Sequence, residues 1–331
     1  MINKILGTLY GMAIGDAMGM PSELWSRQKV KDFFGNIETF LDGPSENEVA
    51  YQYVKAQFTD DTAQALLILD SLIEQDFKFK SEIFVQKLLT WAKQEQAFEK
   101  NILGPSSKAA LLGIQAGEDV TKITNRAQTN GAAMRIAPIG CLFHPSQQQE
   151  LIELVSQISK VTHSSDITIA GACMIAAAVS AAIIYDNFNQ ILEFVYSTEE
   201  PARKLGFETI NPSLRARTQL GIELAIKYVG QDELFLESIY QIIGCGVLMS
   251  ESVPAALSIA YYAKDVEHCA LLCANLGGDT DTIGAMACAI RGAYDGYQSI
   301  PSKLIEQIDT ANMINLPSYA NQLHEARGGL S

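Results

Sequence analysis

The chain has 331 residues, of which 48% are hydrophobic and 19% are charged. This composition excludes an intrinsically disordered chain, because such chains are poor in apolar side chains and rich in charge. The 24 Lys and Arg residues are outnumbered by 38 Asp and Glu residues, so the formal net charge is −14. A negative surface repels phosphate backbones and anionic lipids, so we expect neither nucleic acid nor a membrane as a partner.

Two features of the sequence bear on where the protein works. The N-terminal residues show no basic region followed by a long apolar core, so no secretory signal is predicted. The six cysteines lie mostly among Ala, Leu and Ile and form no C-x-x-C pair, which is typical of buried free thiols in a reducing compartment. We therefore expect a cytoplasmic protein.

Apolar residues recur with the 3.6-residue period of an α-helix along almost the whole chain, and strand patterns are scarce. Pro and Gly clusters separate these segments, and the sequence has neither a long flexible linker nor a repeat of fixed period. We therefore predict an all-α protein with a single domain over residues 1–331. The predicted helices cover residues 61–72, 81–93, 106–115, 148–158, 166–184, 213–228, 253–263, 266–274 and 279–294.

Near the N-terminus, Gly11, Gly15 and Gly19 recur every four residues around Asp16. Glycines at this spacing on an apolar helix allow a second helix to pack closely against it. The same glycines could instead let a ligand approach the backbone. We favour the packing interpretation and leave the binding-loop interpretation open.

Two acidic segments, each with two carboxylates and two hydroxyl side chains, stand at predicted helix starts. They are Thr59-Asp60-Asp61-Thr62 and Asp279-Thr280-Asp281-Thr282. A helix start favours one carboxylate, through the helix dipole and the unpaired amides, but this does not account for two. Ligand sets made only of oxygen suit hard cations, Mg²⁺ or Mn²⁺, better than zinc.

If both acidic segments face one site, four carboxylates converge there. Their mutual repulsion would oppose folding unless cations neutralise them. Two ions that share carboxylates account for this number of acids better than one ion does. The alternative is a pair of unrelated helix starts, separated by more than two hundred residues in the chain.

Three further features are weak when each is taken alone. Asn130-Gly131 stands at a predicted turn or helix start, where it could contact a sugar or a phosphate or could be an ordinary turn. His163 precedes the long Ala-rich helix, a position more typical of a capping or surface residue than of a catalyst. Glu23, after Pro21 and Ser22, resembles an ordinary loop acid.

The stretch 167–185 has no charged residue and is long enough to cross a bilayer. Ala dominates it, with Thr168, Gly171 and Ser180 interspersed. Small residues at this density allow close packing between helices inside a protein. We therefore predict a buried core helix in place of a membrane span.

Taken together, these segments resemble the ADP-ribosylglycohydrolase family. Any one of them is short, but their combination and order are highly specific. The matching segments are GMAIGDAMGMPSE at 11–23, FTDDT at 58–62, TNGAAMRIAP at 129–138, THS at 162–164, SVPAA at 252–256 and NLGGDTDTIG at 275–284.

The resemblance implies a compact orthogonal multi-helix bundle that holds two Mg²⁺ or Mn²⁺ ions at one end of a cleft. It implies Glu23 as a mobile acid near the scissile bond, with Asp60 and Asp61 as the other candidates for the proton acceptor. It also implies contacts from Asn130, Gly131 and His163 to the ribose and diphosphate. The metal ligands that it implies are Thr59, Asp60, Asp61, Asp279, Asp281 and Thr282.

The activity implied by the resemblance is hydrolysis of an ADP-ribosyl bond, through an oxocarbenium-like transition state, in a modified protein or small molecule. No aromatic residue occurs between Phe98 and Phe143, where some ADP-ribosyl-protein hydrolases place a ring against adenine or ribose. This absence bears on the first of three alternatives that stay open. They are hydrolysis of another ribosyl N-glycoside such as a nucleoside, ADP-ribose binding without catalysis, and phosphoryl hydrolysis by the same ions.

Overall fold

The computed structural model describes residues 1–100 and 102–329, and nearly all of their regular structure is helical. Among those residues, β-structure is limited to isolated bridges, so the all-α prediction is confirmed. The α-helices in chain order are α1 (Ile2–Gly19), α2 (Arg27–Phe34), α3 (Asp60–Ile73), α4 (Ser81–Gln94), α5 (Pro105–Gln115), α6 (Thr121–Thr124), α7 (Gln148–Ser159), α8 (Asp166–Ile184), α9 (Phe188–Arg203), α10 (Leu214–Lys227), α11 (Asp232–Ser238), α12 (Met249–Tyr262), α13 (Val266–Ala274), α14 (Thr280–Asp295), α15 (Ser302–Asn312) and α16 (Leu316–Gly329).

The predicted helix bounds agree with the structure to within one residue at most ends. The largest difference is at α12, which begins at Met249 and not at residue 253. Pro254 lies inside that helix, where it removes one backbone hydrogen bond without ending the helix. Several helices lie outside the predicted ranges, including the Pro201-containing α9. The glycine repeat indicates an apolar helix without giving its bounds, and the structure shows this helix as α1.

The glycines of α1 form the seam along which α1 packs on α14. A Cβ atom built on Gly15 would lie 2.0 Å from the carbonyl oxygen of Gly284, and one built on Gly11 would lie 2.1 Å from that of Cys288. Any side chain at these positions would collide with the backbone of the partner helix. The packing interpretation of the glycine repeat is therefore correct.

Helix α8 is the central core helix. It has 19 residues and a mean hydropathy of 2.3, values that would allow a membrane span by length and composition alone. Neighbouring helices bury 94% of its apolar window, and the helices packed on it include α7, α9, α12 and α14. Burial on all sides accounts for its apolar character, as the sequence predicts.

The close packing of α1 on α14 also brings three parts of the chain together at one end of the bundle. Asp16, near the C-terminal end of α1, accepts hydrogen bonds from the backbone amides of Thr59 and Thr62, at 2.9 and 3.0 Å. Thr280, the first residue of α14, donates its hydroxyl to the carbonyl of Gly19 at 2.8 Å. The N-terminal ends of α3 and α14 therefore meet beside the end of α1.

Candidate metal centre and active site

The two acidic segments lie at one place in the fold. Carboxylate oxygens of Asp16, Asp61 and Asp281 all lie within 4.8 Å of one another, and so do those of Glu23, Asp279 and Asp281. The hydroxyl of Thr59 lies 3.1 Å from Asp61 Oδ2 and 3.4 Å from Asp281 Oδ2. Both groups include Asp281, so we treat them as one carboxylate cluster, to which we add Asp60 because it lines the same cavity.

Helix capping does not explain the acids of this cluster. The N-cap residues are Thr59 for α3 and Asp279 for α14, and neither side chain accepts a capping hydrogen bond from its helix. Asp60 and Asp61 stand in the first turn of α3, and Asp281 stands in the first turn of α14. The helix dipole favours carboxylates there, but it does not require them to converge.

Crowding and burial strongly disfavour ionisation of these carboxylates. Burial, followed by the neighbouring charges of Asp16 and Asp279, raises the pKa of Asp60 to about 8. Burial and neighbouring carboxylates raise the pKa values of Asp61 and Asp281 well above the ordinary aspartate value. A hydrogen bond from Thr282 acts in the opposite direction on Asp61. In the absence of a cation, the cluster must therefore retain protons that aspartates normally release at neutral pH.

Two oxygens of the cluster are left without a partner. Oδ1 of Asp61 and Oδ1 of Asp281 are buried and accept no hydrogen bond from the described residues. Burying a carboxylate oxygen without a hydrogen bond lowers the stability of the fold unless a cation binds to that oxygen. The donor set is composed of carboxylate and hydroxyl oxygens, so it can bind a hard metal ion.

Glu23 faces the same cluster from the segment between α1 and α2. Burial, followed by the charges of Asp279 and Asp60, raises its pKa well above the ordinary glutamate value. Its backbone carbonyl accepts a hydrogen bond from Asn47 at 3.0 Å, and the next amide, that of Leu24, donates to Gly278 at 2.7 Å. The backbone around Glu23 is therefore held on both sides, and the mobility implied for its side chain stays a prediction.

Gly278 allows this contact because of its backbone conformation. Its φ of 83° lies in the left-handed region, and a Cβ atom would lie 2.2 Å from the carbonyl oxygen of Cys245. Only glycine fits there without strain. Gly278 therefore lets the Glu23 segment pair with the start of the second acidic segment.

Asn130 and Gly131 form the opposite wall. The side-chain amide of Asn130 donates to Asp279 Oδ2 at 2.5 Å, and this bond lowers the pKa of Asp279 against the larger, raising effect of burial. The backbone amide of Asn130 donates to Val247 at 2.9 Å. Asn130 is therefore hydrogen-bonded directly to an acid of the cluster. The Asn-Gly pair in the sequence does not predict this contact.

His163 lies behind this wall. It is fully buried, and its ring nitrogens lie 2.8 Å from the Thr162 hydroxyl and 3.0 Å from the Thr129 hydroxyl. A Cβ atom on Gly131 would lie 2.8 Å from its ring. Burial, followed by the charge of Arg135, lowers the pKa of His163 to about 3, so the ring is neutral at physiological pH. A direct contact between His163 and a substrate stays a prediction.

A cavity of about 260 Å³ opens onto the cluster. The predicted site residues that line it are Glu23, Asp60, Asp61, Asn130, Gly131, Asp279, Asp281 and Thr282. Its remaining wall is largely apolar and includes Leu24, Val49 and Met134. Thr59 and His163 lie outside this lining: Thr59 contacts the carboxylates, and His163 supports the wall from behind.

Asp16 is the first residue of the site that sequence reasoning missed. It is fully buried, and besides the two amides it accepts the Thr62 hydroxyl at 2.6 Å. Burial raises its pKa to about 6, against the lowering effect of the hydrogen bonds from Thr62 and Thr59. Its only signal in the sequence is a lone acid within an apolar, glycine-rich segment, which does not indicate its partners.

A buried hydrogen-bond chain connects the cluster with His163, and sequence reasoning missed it as well. Gln64 donates to Asp60 Oδ2 at 2.7 Å, and Arg135 donates to Gln64 Oε1 at 2.6 Å. The other end of the Arg135 guanidinium donates to the Thr162 hydroxyl at 2.7 Å, next to His163. Burial lowers the pKa of Arg135 to about 10, so the guanidinium still carries its positive charge at neutral pH.

Tyr53 is another residue near the site that the sequence did not indicate. Burial raises its pKa, and the next causes are the negative charges of Asp60, Glu23, Asp16 and Asp281. The phenol of Tyr53 is therefore close enough to the carboxylate cluster for the charges of the cluster to raise its pKa. No motif connects residue 53 with the acidic segments before the chain is folded.

Comparisons with known proteins identify the family and the fold. The family model described as ADP-ribosylglycohydrolase matches residues 1–330. A solved structure titled "ADP-ribosylglycohydrolase-related protein complex" has a TM-score of 0.74 and 22% sequence identity, and the alignment covers 98% of each chain. This likeness shows the shared fold.

Curated relatives match over nearly the full length of this chain. A protein of Escherichia coli (strain K12) named "Uncharacterized protein YegU" is 43% identical over 98% of this chain and 97% of its own. ADP-ribosylhydrolase ARH3 of Gallus gallus is 26% identical over 97% of this chain and 93% of its own. ADP-ribosylarginine hydrolase Tri1 of Pseudomonas putida (strain GB-1) is 25% identical over 93% of this chain and 74% of its own. The chain therefore belongs to the ADP-ribosylglycohydrolase family and is a hydrolase.

Proposed function

We propose that the protein hydrolyses an ADP-ribosyl bond, N- or O-glycosidic, and releases ADP-ribose from a modified protein or small molecule. The observation that carries this proposal is the pair of unpartnered buried oxygens on Asp61 and Asp281, beside a cavity that Glu23 also lines. This arrangement supports hard-cation binding next to a space for a sugar. Membership of the family supports cleavage of a glycosidic bond.

The cofactors in this proposal are two Mg²⁺ or Mn²⁺ ions. The strong mutual repulsion among the carboxylates supports more than one cation. When bound, such ions orient ribose hydroxyls and lower the pKa of water. Equilibrium dialysis followed by elemental analysis gives the number of ions per chain. The residues that would hold them are Thr59, Asp60, Asp61, Asp279, Asp281 and Thr282.

The side chains of the cavity can position the substrate and move protons. Cleavage at an anomeric carbon requires a group that accepts the proton of the attacking water, and Glu23, Asp60 and Asp61 are the candidates. All three line the cavity, and burial raises the pKa of each. Asn130 orients Asp279 through its hydrogen bond, and Gly131 lines the cavity beside it.

The test is a hydrolysis panel with purified protein and Mg²⁺ or Mn²⁺. The substrates are peptides ADP-ribosylated on arginine or serine, and the product is identified by mass spectrometry. We expect free ADP-ribose, and its loss with a chelator or in an Asp60→Asn variant. Release of inorganic phosphate would instead indicate phosphoryl hydrolysis. Metal-dependent ADP-ribose binding without any product would indicate a non-catalytic relative.

A second candidate is hydrolysis of another ribosyl N-glycoside, such as a nucleoside or a nucleotide derivative. The observation that favours it is the size and lining of the cavity, about 260 Å³, in which no aromatic side chain of the described residues takes part. Adding nucleosides to the panel and measuring free ribose tests this alternative.

We also propose that the protein acts in the cytoplasm on an ADP-ribosylated protein or small molecule. The six cysteines are buried free thiols, which agrees with a reducing compartment. Cell fractionation with an antibody against the chain measures the location. Co-purification with ADP-ribosylated proteins from cells that carry an Asp60→Asn variant would identify the partner.

A further inference from the structure

A short segment before α12 contacts both acidic and polar walls of the cavity. We call residues 244–248 the strap. The carbonyl oxygen of Cys245 accepts from the backbone amide of Asp279 at 2.7 Å, and that of Val247 accepts from the backbone amide of Asn130 at 2.9 Å. Val247 also lines the cavity. The strap therefore holds together two walls that belong to parts of the chain 149 positions apart.

The two ends of the strap are fixed by contacts away from the carboxylate cluster. The guanidinium of Arg217 donates to the carbonyl of Ile243, just before the strap, at 3.3 Å and to that of Ser250, just after it, at 2.8 Å. Met249 packs on the core helix α8, where a Cβ atom on Gly171 would lie 2.3 Å from its sulfur. With its ends held in this way, the strap still needs a contact that positions its middle.

Glu251, in the first turn of α12, provides this contact. Its carboxylate accepts a hydrogen bond from the backbone amide of Gly246 at 2.9 Å. A Cβ atom on Gly244 would lie 2.7 Å from the Glu251 side chain, and one on Gly246 would lie 2.9 Å from it. The carboxylate therefore fits against the strap only because both of these residues are glycines.

The helix dipole alone does not explain the position of this carboxylate. A glutamate at the third position of a helix often reaches back to the amide of the N-cap residue, which here is Leu248. Glu251 reaches past the N-cap to Gly246, in the middle of the strap. Glu267 offers a comparison, since it is an exposed acid in the first turn of α13 and has the same favourable place in a helix dipole.

We propose that Glu251 is a positioning residue for the site. By holding the strap at Gly246, it fixes the backbones of Asp279 and Asn130 relative to each other, and with them the hydrogen bond between their side chains. This inference rests on the proposed function for the role of Asp279 in binding a metal ion. It also gives a role to the start of α12, which contains the segment SVPAA at 252–256 and carries Glu251 to the strap.

Two conservative variants separate the hydrogen bond from the charge of Glu251. Glu251→Asp keeps the charge at the helix start, but its side chain is one methylene shorter and does not reach Gly246 unless the strap moves. Glu251→Gln loses the charge but keeps the length and an oxygen that accepts the same hydrogen bond. If the strap contact matters, the Gln variant behaves like the parent protein and the Asp variant does not. Glu267→Asp is the matched control at the start of α13.

Hydrogen-deuterium exchange in buffer with a chelator tests the positioning without metal or substrate. We expect the peptides that contain Asn130 and Asp279 to exchange roughly fivefold faster in Glu251→Asp than in the parent protein, the factor that corresponds to one hydrogen bond. Glu251→Gln and Glu267→Asp should exchange like the parent. Unchanged exchange in Glu251→Asp, equally fast exchange in Glu251→Gln, or an equal increase in the core helix α8 overturns the proposal.

Calorimetric titration with Mn²⁺ and the hydrolysis panel separate this inference from the proposed function. We expect the dissociation constant of Mn²⁺ to rise roughly tenfold in Glu251→Asp, as for other residues that orient metal ligands, and much less in Glu251→Gln. An unchanged dissociation constant in Glu251→Asp overturns the inference, and hydrolysis by the parent protein leaves the proposed function standing. The expected exchange and Mn²⁺ results without hydrolysis of any substrate support the role of Glu251 and overturn the proposed function. Absence of Mn²⁺ binding by the parent protein overturns both.

Discussion

The guanidinium of Arg135 donates a 2.6 Å hydrogen bond to the side-chain oxygen of Gln64, 71 positions earlier in the chain. Both side chains are buried, and Gln64 passes the interaction on to Asp60 in the carboxylate cluster. The positive charge of Arg135 lowers the pKa of Asp60 against the raising effects of burial and neighbouring acids. The buried guanidinium of Arg135 therefore positions Asp60 through Gln64. At its other end it donates to the Thr162 hydroxyl, which contacts the ring of His163.

This contact predicts energetic coupling between Arg135 and Gln64. We expect Arg135→Met to lower the free energy of unfolding by about 2 kcal/mol, because Gln64 and Thr162 lose a buried partner. In a double-mutant cycle with Gln64→Leu, we expect a coupling energy of about 1 kcal/mol, since residues in direct contact are not additive. Urea unfolding of the four proteins measures it.

The control cycle pairs Arg135→Met with Tyr10→Phe. The Tyr10 hydroxyl donates to Asp309 and shares no partner with Arg135. We expect these two changes to add to within about 0.5 kcal/mol. Additive behaviour of Arg135 and Gln64 as well would show that the hydrogen-bond chain is not an energetic unit.

The unpartnered oxygens of Asp61 and Asp281 predict stabilisation by divalent cations. We expect Mn²⁺ or Mg²⁺ at a hundredfold excess over its dissociation constant to raise the free energy of unfolding by about 3 kcal/mol. The Asp281→Asn variant loses most of this effect, whereas Glu325→Gln, a change at an exposed acid of α16, retains it. Thermal unfolding with and without each ion measures the difference. Equal stabilisation of both variants would show that the ion binds elsewhere.

The raised pKa values predict how the metal-free protein responds to pH. The folded-state pKa of Asp60 is about 8, whereas the unfolded chain has the ordinary value of about 4. Between these values the native state holds a proton that the unfolded state has released, so stability is greatest at the low end and falls as pH rises. We expect urea midpoints, measured with a chelator, to fall from pH 5 to pH 8.

The Asp60→Asn variant tests the origin of this slope, because its side chain cannot ionise. We expect a smaller loss of stability between pH 5 and pH 8 than in the parent protein, while Glu325→Gln keeps the parent slope. Part of the slope stays in Asp60→Asn, since burial also raises the pKa values of Asp61 and Asp281. A stability that rises over this range would contradict the raised pKa values.

Local sequence patterns account for much of the fold and for part of the site. Helices such as α8 and α13 carry a regular apolar period or a clear boundary, and their predicted bounds are correct. The bounds of helix α1 were not predicted, because glycine every fourth residue lowers helix propensity and the packing that compensates is with α14, far along the chain. Long-range packing of this kind has no local signal.

The same distinction holds at the site. The acidic segments are conspicuous because each places two carboxylates at a helix start. Asp16, Gln64 and Arg135 acquire their roles only through partners that folding brings close. Tyr53 is near the cluster for the same reason. The sequence therefore indicates the paired acids at the helix starts. It does not indicate the residues that position those acids through long-range contacts.

The seam between α1 and α14 predicts that Gly15→Ala damages both stability and metal binding. The new Cβ atom would lie 2.0 Å from the carbonyl oxygen of Gly284, so the helices must separate, and we expect a loss of about 3 kcal/mol in urea unfolding. Asp16 and Thr280 are attached to this seam, so we also expect weaker stabilisation by Mn²⁺. Gly104→Ala is the control, because its Cβ meets nothing within 4 Å, and its cost should stay below about 1 kcal/mol. Equal effects of both substitutions would mean that close helix packing does not position the carboxylate cluster.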